Sequence, residues 1–139
     1  MPLLPAARDE FLALLEKIRE DGTLVIVEGP NDKKALKHFG ITNVISINKR
    51  ALYKVIEQIV EIGREAIILT DLDKKGKDLY ARFNAKLPQF GVKINNTLRH
   101  FMCRKTSLSQ IEGMVSYLSR ADAKTNLLYN SEISSHSNW

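Results

Sequence analysis

Cysteine and aromatic residues are scarce in this sequence of 139 residues. Cys103 is the only cysteine, so the chain can form neither an internal disulfide nor a zinc cluster of several thiolates. We expect Cys103 to be a small buried residue near the end of a strand. Aromatic residues make up 7% of the chain, and none alternates with basic residues in the way that favours stacking of single-stranded bases.

Long apolar runs are also missing. The longest, residues 24–27 and 66–69, are far shorter than the ~20 residues that span a membrane. The N-terminus has no basic stretch followed by a long apolar one, so nothing there indicates a signal peptide. We therefore place the protein in the cytoplasm, with no membrane partner.

Two glycine-rich motifs of nucleotide-binding proteins, G-x-G-x-x-G and the Walker loop, do not occur in the chain, so nucleotide binding by either device is not supported. The net charge of +5 favours anionic partners, although so modest an excess also serves solubility. Hydrophobic residues account for 44% of the chain and charged residues for 27%, which is typical of a folded domain. A chain of this length is sufficient for one buried core.

Short β-branched runs alternate along the chain with segments of helical periodicity. The runs that predict strands are TLVIV at 23–27, NVISI at 43–47, EAIILT at 65–70 and TLRHFM at 97–102. The segments that predict helices are 6–20, 31–40, 50–63, 76–91 and 107–120, the last with Ser107 and Gln110 at the spacing of a capping box. This alternation predicts an α/β fold with about four mainly parallel strands and helices on both faces of the sheet.

Acidic residues follow two of the predicted strands. Glu28 ends the first, and Asp71 and Asp73 follow the third. Because the carboxyl ends of parallel strands share one edge of the sheet, we expect the three carboxylates to lie together where α/β proteins bind ligands. Alternate residues of an extended segment point the same way, so Asp71 and Asp73 can converge on one cation while Leu72 turns inward. Mg²⁺ suits such oxygen ligands, and Mn²⁺ can replace it.

Basic residues surround these acids in the predicted arrangement and favour phosphate groups as ligands. They are Lys33, Lys34, Lys49, Arg50, Lys74, Lys75, Arg104 and Lys105. Smaller accessory roles are expected at Gly29, Asp32, Asn48, Gly76 and Glu112. Arg104 and Lys105 belong to this set because they follow the fourth predicted strand.

Each acidic motif also has an ordinary alternative. Glu28 can simply cap a helix or face solvent, and the DLDKKG stretch can be a solvated loop. An EF-hand loop that began at Asp71 would place Lys75 at a calcium ligand position and Arg82 where a bidentate glutamate belongs, which excludes calcium. Phosphatases of the haloacid dehalogenase type also carry Asp-x-Asp after a strand. However, they have a threonine where Lys75 stands, and they give Glu28 no role.

Together, LVIVEGPND at 24–32 and AIILTDLDKKG at 66–76 resemble the Toprim domain, which topoisomerases, bacterial-type primases, some nucleases and a ribonuclease that matures ribosomal RNA share. The resemblance extends over about 23–119. It implies the Rossmann-like Toprim fold, a general acid or base at Glu28, and magnesium ligands at Asp71 and Asp73. A raised pKa on Glu28 would suit that role.

The resemblance also implies a function. It predicts a Mg²⁺-dependent protein that acts on nucleic acid, with RNA favoured over DNA. Topoisomerases use a tyrosine nucleophile on a separate domain, and none of the four tyrosines here is a good candidate, so phosphodiester hydrolysis or RNA processing by a nuclease is the default chemistry. The alternative is a non-catalytic module that binds RNA or a ribonucleoprotein through the same basic residues.

Three parts of the chain follow from this interpretation. Residues 1–22 are expected to form an amphipathic helix that packs on the domain, residues 23–120 the Toprim domain, and residues 121–139 a polar tail. The apolar face of the first helix could instead pair with a second subunit, and a protein partner is also possible.

Overall fold

The structure, a computed structural model, describes residues 3–119 and contains one parallel four-stranded sheet. Its strands are β1 (Leu24–Val27), β2 (Val44–Ser46), β3 (Glu65–Ile68) and β4 (Lys93–Ile94), in the spatial order β2-β1-β3-β4. All three neighbouring pairs are parallel. The predicted α/β fold with about four parallel strands is therefore confirmed.

Helices cover both faces of this sheet. They are α1 (Pro5–Asp21), α2 (Pro30–His38), α3 (Leu52–Ile62), α4 (Lys74–Lys86) and α5 (Thr97–Lys105), with 3₁₀ helices at Leu87–Phe90 and Ile111–Gly113 and a further helical stretch at 114–119. Because side chains alternate along a strand, Val25 and Val27 pack against α1, α2 and α5, whereas Leu24 and Ile26 pack against α3 and α4. The sheet is thus buried on both sides, as its continuous apolar strands predict.

The predicted fourth strand is wrong. Residues 97–102 begin helix α5, in which Leu98, Phe101 and Met102 follow helical spacing and are buried in one layer of the core. The true fourth strand, β4, has two residues at the sheet edge, with an exposed Lys93, and is too short to leave an apolar pattern in the sequence. Cys103 consequently lies exposed on a helix, so its expected burial near a strand end is also wrong.

The helix predicted at 107–120 starts later than its sequence pattern suggests. Residues 106–110 have no regular structure, and the 3₁₀ helix at Ile111–Gly113 precedes the helical residues 114–119. Two contacts hold this segment out of the helix. The Ser109 carbonyl accepts a hydrogen bond from the Leu72 N–H (2.7 Å), and the Ile111 N–H donates to an Asp71 carboxylate oxygen (2.9 Å). The capping residues Ser107 and Gln110 are therefore part of a connection to the sheet edge.

Helix α1 packs on the domain through Phe11, which contacts Phe101 edge to face with 5.3 Å between ring centroids. It ends at Gly22, whose positive φ of 65° favours glycine. Within residues 3–119, no helix combines the length and apolar character needed to cross a membrane. The predicted C-terminal tail lies outside the described residues.

Candidate functional site

The carboxyl ends of β1 and β3 are joined by a hydrogen bond between two of the predicted site residues. The Asp71 backbone N–H donates to Glu28 Oε2 at 2.7 Å. Glu28 is the first residue after β1, and Asp71 follows β3 by three positions. These residues belong to neighbouring parallel strands, so the sheet itself brings the two acids to one edge.

Both aspartates of the DLD motif accept backbone hydrogen bonds. Asp71 Oδ1 accepts from the Ile111 N–H at 2.9 Å, and Asp73 Oδ1 caps α4 by accepting from the Gly76 N–H at 2.8 Å. The half-buried Leu72 between them packs against the apolar layer that contains α1 and α5. Each aspartate therefore uses one carboxylate oxygen to organise the backbone and keeps a second for other ligands.

The backbone of Asp71 lies so close to residue 76 that only glycine fits there. It is buried, and a Cβ atom built on it would overlap the backbone oxygen of Asp71. The Thr70 hydroxyl also donates to the Gly76 carbonyl at 2.6 Å. The acidic loop, residues 70–76, thus folds back on itself, which only a residue without a side chain permits at this position.

Arg99 is a buried residue that holds the backbone of the acidic loop by hydrogen bonds. The sequence prediction did not identify it. The residue is only 4% exposed. Its guanidinium donates to the carbonyl oxygens of Thr70 (2.6 Å) and Asp71 (3.1 Å) and lies 4.5 Å from the centre of the Tyr80 ring. Burial lowers the pKa of Arg99 below its usual value. The one sequence signal was a single arginine within the apolar residues of 98–102, and the strand assignment concealed it.

Asp32 is a fourth acid at this edge and is only 6% exposed. Its Oδ2 accepts from the Gly29 N–H at 3.1 Å. Burial raises the pKa of Asp32 to about 6 in spite of that hydrogen bond, and repulsion from Asp71 and Glu112 contributes to the increase. The pKa of Glu28 is raised as well, first by burial and then by Asp71 and Asp73. The carboxylates therefore lie close enough to disfavour one another's charge.

These acids line a cleft of about 290 Å³ at the N-terminal end of α2. The acidic cleft, as we call it, is lined by Glu28, Gly29, Pro30, Asn31, Asp32, Asp71, Gln110 and Glu112. Asp73 does not line it, because its side chain caps α4. The predicted sites Glu28 and Asp71 thus share one cleft with the predicted accessory residues Asp32 and Glu112.

The donor set of the acidic cleft fits Mg²⁺ with partial coordination by the protein. Within the part of the chain that the structure describes, no three His, Cys, Asp or Glu side chains converge closely enough to enclose a metal ion. Mg²⁺ does not require such a cage, because one or two carboxylates suffice when water and phosphate complete the octahedron. The raised pKa values of Glu28 and Asp32 indicate negative charge that a cation would stabilise.

Some of the predicted basic residues form a second depression beside the acidic cleft. Lys33, Asn48 and Arg50 line a depression of about 230 Å³ at the end of β2. Arg50 donates to Gln58 Oε1 (2.7 Å) and to the Ser46 carbonyl (3.1 Å), which holds its guanidinium in place. This basic depression shares no lining residue with the acidic cleft, although the Asn48 N–H donates to the Glu28 carbonyl at 2.9 Å.

The remaining predicted basic residues are exposed on other elements. Lys34 lies on α2, and Lys74 and Lys75 occupy the first turn of α4. Lys49 follows Asn48 in a turn where both have positive φ angles, 65° and 42°. Arg104 and Lys105 end helix α5 instead of following a strand, so the structural reason for including them was wrong.

Helix α5 nevertheless extends toward the carboxyl edge of the sheet. Thr97, in its first turn, lines a small cavity with Thr23, the residue before β1. After the helix ends, Ser109 contacts Leu72 in the acidic loop. The helix therefore crosses the sheet from the amino end of β1 toward the acidic loop, with Arg104 in its last turn.

Comparison with known proteins agrees with this arrangement. The Toprim domain family matches residues 23–97 of the chain. A UPF0292 protein from Methanosarcina acetivorans is 30% identical over 129 residues, which cover 89% of this chain and 88% of that protein. Another from Methanocaldococcus jannaschii is 31% identical over 123 residues, which cover 81% of this chain and 96% of that protein.

A solved structure has a similar fold. A protein from Aquifex aeolicus superposes with a TM-score of 0.67 at 29% identity, over 75% of this chain and 94% of that one. Toprim domains generally bind Mg²⁺, and the domain indicates a metal-dependent function that involves nucleic acid. This chain belongs to the Toprim domain family and, through its similarity to these relatives, to the UPF0292 proteins.

Proposed function

We propose that this protein is a Mg²⁺-dependent nuclease that hydrolyses phosphodiester bonds in RNA or, less favourably, DNA. One observation carries the proposal: the hydrogen bond from the Asp71 N–H to Glu28 Oε2, which holds two acids in one cleft at the carboxyl edge of the sheet. Such a cleft is where parallel α/β proteins bind phosphate-containing ligands.

The proposed magnesium ligands are Asp71, which lines the acidic cleft, and Asp73, which caps α4 and lies close enough to Glu28 to raise its pKa. Each has one carboxylate oxygen held by a backbone amide, so the acidic loop is already ordered before a ligand binds. When bound, Mg²⁺ or Mn²⁺ supplies positive charge that stabilises the phosphate in the transition state. Arg99 holds the backbone carbonyl of Asp71 and is a positioning residue in this scheme.

Glu28 is the proposed general acid or base. Its Oε2 is occupied by the Asp71 N–H, which assigns proton transfer to Oε1. The raised pKa of the carboxyl brings its protonated and ionised forms closer in free energy near neutral pH. Glu28 can therefore accept a proton from an attacking water or give one to the leaving oxygen.

Basic residues around the cleft would hold the flanking phosphates. Lys33 and Arg50 share the basic depression, and Lys74 and Lys75 begin the helix that Asp73 caps. Contacts of this kind position a nucleic acid without reading its sequence, and they weaken as salt concentration rises.

A second candidate function, a non-catalytic module that binds RNA or a ribonucleoprotein, is favoured by one observation. The Asp73 carboxylate caps α4 and does not line the acidic cleft that holds Glu28 and Asp71. In such a module, the acids would hold Mg²⁺ as a positive charge that favours phosphate binding, without cleavage. Salt-sensitive binding without cutting, in which Lys49 and Arg50 matter more than Glu28, would distinguish this function.

The test is a combined cleavage and binding assay on structured RNA and DNA, with Mg²⁺, Mn²⁺ or a chelator. The wild type is compared with Glu28→Gln and with the double variant Asp71→Asn and Asp73→Asn. Asp78→Asn is the matched control, because Asp78 is an exposed acid on α4 that does not line the acidic cleft.

Cleavage that needs metal, disappears in both site variants and persists in Asp78→Asn is the expected result. Binding without cleavage in the wild type would select the non-catalytic module. Metal-dependent cleavage that survives in the double variant would contradict the proposed site.

A further inference from the structure

The acidic cleft opens into a larger groove. This groove, of about 510 Å³, lies between α2 and the segment around the 3₁₀ helix Ile111–Gly113. Cleft and groove share Asn31, Gln110 and Glu112 in their linings, so they form one continuous depression. We call the larger of the two the α2 groove. Lys34 and His38 line its end away from the acidic cleft.

We infer that the α2 groove binds a single strand of nucleic acid next to the scissile bond, with a phosphate at Lys34 and a base against His38. The inference rests on the proposed function and adds the path of the substrate to it. His38 had no role in the sequence prediction, because nothing in the sequence shows that it faces the same groove as residues 110–115.

The lining of the α2 groove has the three features that a nucleotide requires. Lys34 provides a positive charge for a phosphate, and the exposed imidazole of His38 offers a flat face for a base. His38 also contacts Phe39 edge to face, with 5.1 Å between ring centroids, so the Phe39 ring limits its orientation. The amides of Asn31 and Gln110 can hydrogen-bond to sugar or base edges.

The α2 groove is a better path for the strand than the basic depression, because only the groove shares lining residues with the acidic cleft. The basic depression shares no lining residue with the acidic cleft, and its Arg50 already donates to Gln58 and Ser46. Lys33 and Lys34 are adjacent in sequence but line different depressions, one on each side of α2. A strand bound at the acids can therefore reach Lys34 without crossing the helix.

Glu112 places a negative charge where the acidic cleft and the α2 groove meet. A carboxylate repels phosphate, so the phosphates of the strand are expected on either side of Glu112, at Lys34 and, with a cation to offset the other acids, at the acidic cleft. Replacement of Glu112 by Gln removes that repulsion while retaining hydrogen-bonding groups. We therefore expect Glu112→Gln to strengthen binding of a single strand about two- to threefold.

The experiment compares three lysines of one helix. Fluorescence anisotropy measures the binding of labelled single-stranded RNA and DNA oligonucleotides in Mg²⁺ to Glu28→Gln, in which no cleavage is expected, and to the same protein with Lys33→Ala, Lys34→Ala or Lys37→Ala added. All three lysines are exposed, all three changes remove one charge from α2, and Lys37 lines neither depression. We expect Lys34→Ala to weaken binding of the single strand about five- to tenfold, Lys33→Ala clearly less because its lysine lines the other depression, and Lys37→Ala less than about twofold.

Two variants of His38 test for base stacking. His38→Ala should weaken binding about fivefold or more, whereas His38→Phe should retain most of the affinity because its ring can still stack. Equal weakening by both variants would overturn the stacking role. Thermal melting of each variant shows whether the fold has been preserved.

The possible results distinguish failure of the α2 groove proposal from failure of the proposed nuclease function. If Lys33→Ala or Lys37→Ala weakens binding as much as Lys34→Ala, the α2 groove is overturned as the path and the proposed nuclease is left standing. If no oligonucleotide binds to Glu28→Gln or to the wild type in Mg²⁺, both the groove and the proposed function are contradicted.

Discussion

The acidic loop follows β3 and the basic turn, residues 48–50, follows β2, so the two lie on either side of β1 in the same sheet, yet they are held in different ways. Residues 70–76 are fixed by hydrogen bonds from Arg99, Thr70 and the Ile111 N–H, with Gly76 tucked against their backbone. In the basic turn, by contrast, Asn48 and Lys49 are exposed and both have positive φ angles.

This difference corresponds to what each group must do. A carboxylate that holds a metal or moves a proton has to be positioned within a fraction of an ångström, and a buried network provides that precision. A lysine that attracts phosphate needs only charge and reach, because the interaction is long-ranged and depends little on orientation. The buried contacts of Arg99 and Gly76 therefore support the acidic loop, whereas the basic turn is exposed.

The most disruptive single change to the acidic loop should be Gly76→Ala. The new methyl group would overlap the Asp71 backbone oxygen, so the loop must unfold locally or shift. We expect a loss of about 3 kcal/mol or more in the free energy of unfolding, measured by urea denaturation. Gly29→Ala is the control, because a Cβ at Gly29 meets no atom within 4 Å and its φ of −143° suits alanine. Similar losses in both variants would show that the close approach at Gly76 is not limiting.

Arg99→Met should have the next largest effect. The variant keeps the apolar stem but leaves the carbonyls of Thr70 and Asp71 without their donor, at a cost of about 2 to 4 kcal/mol. Arg99→Lys should recover only part of the stability, since an ammonium cannot reproduce the fork of a guanidinium. Arg82→Met, on the exposed face of α4, is the matched control. An Arg99→Met protein as stable as Arg82→Met would refute the supporting role of the buried guanidinium.

The buried Asp32 in the acidic cleft should make the protein more stable at mildly acidic pH than at neutral pH. A salt-bridged acid has the opposite effect. The pKa of Asp32 rises from 3.8 to about 6 on folding, so the folded state binds the proton more tightly than the unfolded state. This contribution to stability should be fully present below about pH 4 and should be lost as pH rises from about 4 through 6, by about 1 to 3 kcal/mol in all.

Thermal melting between mildly acidic and neutral pH measures this slope, and acid unfolding elsewhere in the chain sets its lower limit. Asp32→Asn removes the titration while its amide oxygen can still accept from the Gly29 N–H, so this variant should be more stable at neutral pH and flatter with pH. Glu28, whose pKa is also raised, contributes in the same direction. A wild-type melting temperature that rises from pH 5.5 to 7.5 would contradict the raised pKa of Asp32.

The smallest effect is expected in the basic turn. Lys49→Gly relieves a positive φ of 65° and should stabilise the protein by a few tenths of a kcal/mol, up to about 1, while it weakens nucleic-acid binding. Lys49→Ala removes the same charge without relieving the backbone, so it should weaken binding equally but without a gain in stability. If the two variants melt at the same temperature, the turn stores no strain and the contrast with the acidic loop is smaller than we infer.

The parts of this fold that sequence predicts well are those with a repeated apolar pattern. The first and third strands are largely buried apolar runs, and Glu28 and Asp71 lie one and three residues beyond their ends, so both acids could be placed on one edge from the alternation of strands and helices alone. The fourth strand could not be found, because two residues at a sheet edge carry no periodic signal.

The features that the sequence did not reveal depend on contacts between distant segments. Arg99 donates hydrogen bonds to residues about thirty positions earlier in the chain. His38 lines the α2 groove because the segment after α5 packs beside α2. A helix and a short strand can share the same few apolar letters, so the local pattern at 97–102 did not decide between them. The tertiary position of α5 did, through the burial of Phe101 and Met102.

Metal binding by the acidic cleft is the central claim, and Mn²⁺ provides its most direct test. Electron paramagnetic resonance of free Mn²⁺, titrated with wild type, Asp71→Asn, Glu28→Gln and Asp78→Asn in the presence of an oligonucleotide, reports bound metal without relying on catalysis. We predict about one Mn²⁺ bound per chain, competed by Mg²⁺, weakened at least about tenfold by Asp71→Asn and unchanged by Asp78→Asn. Equal binding by the wild type and Asp71→Asn would contradict the assignment of this cleft as the metal site.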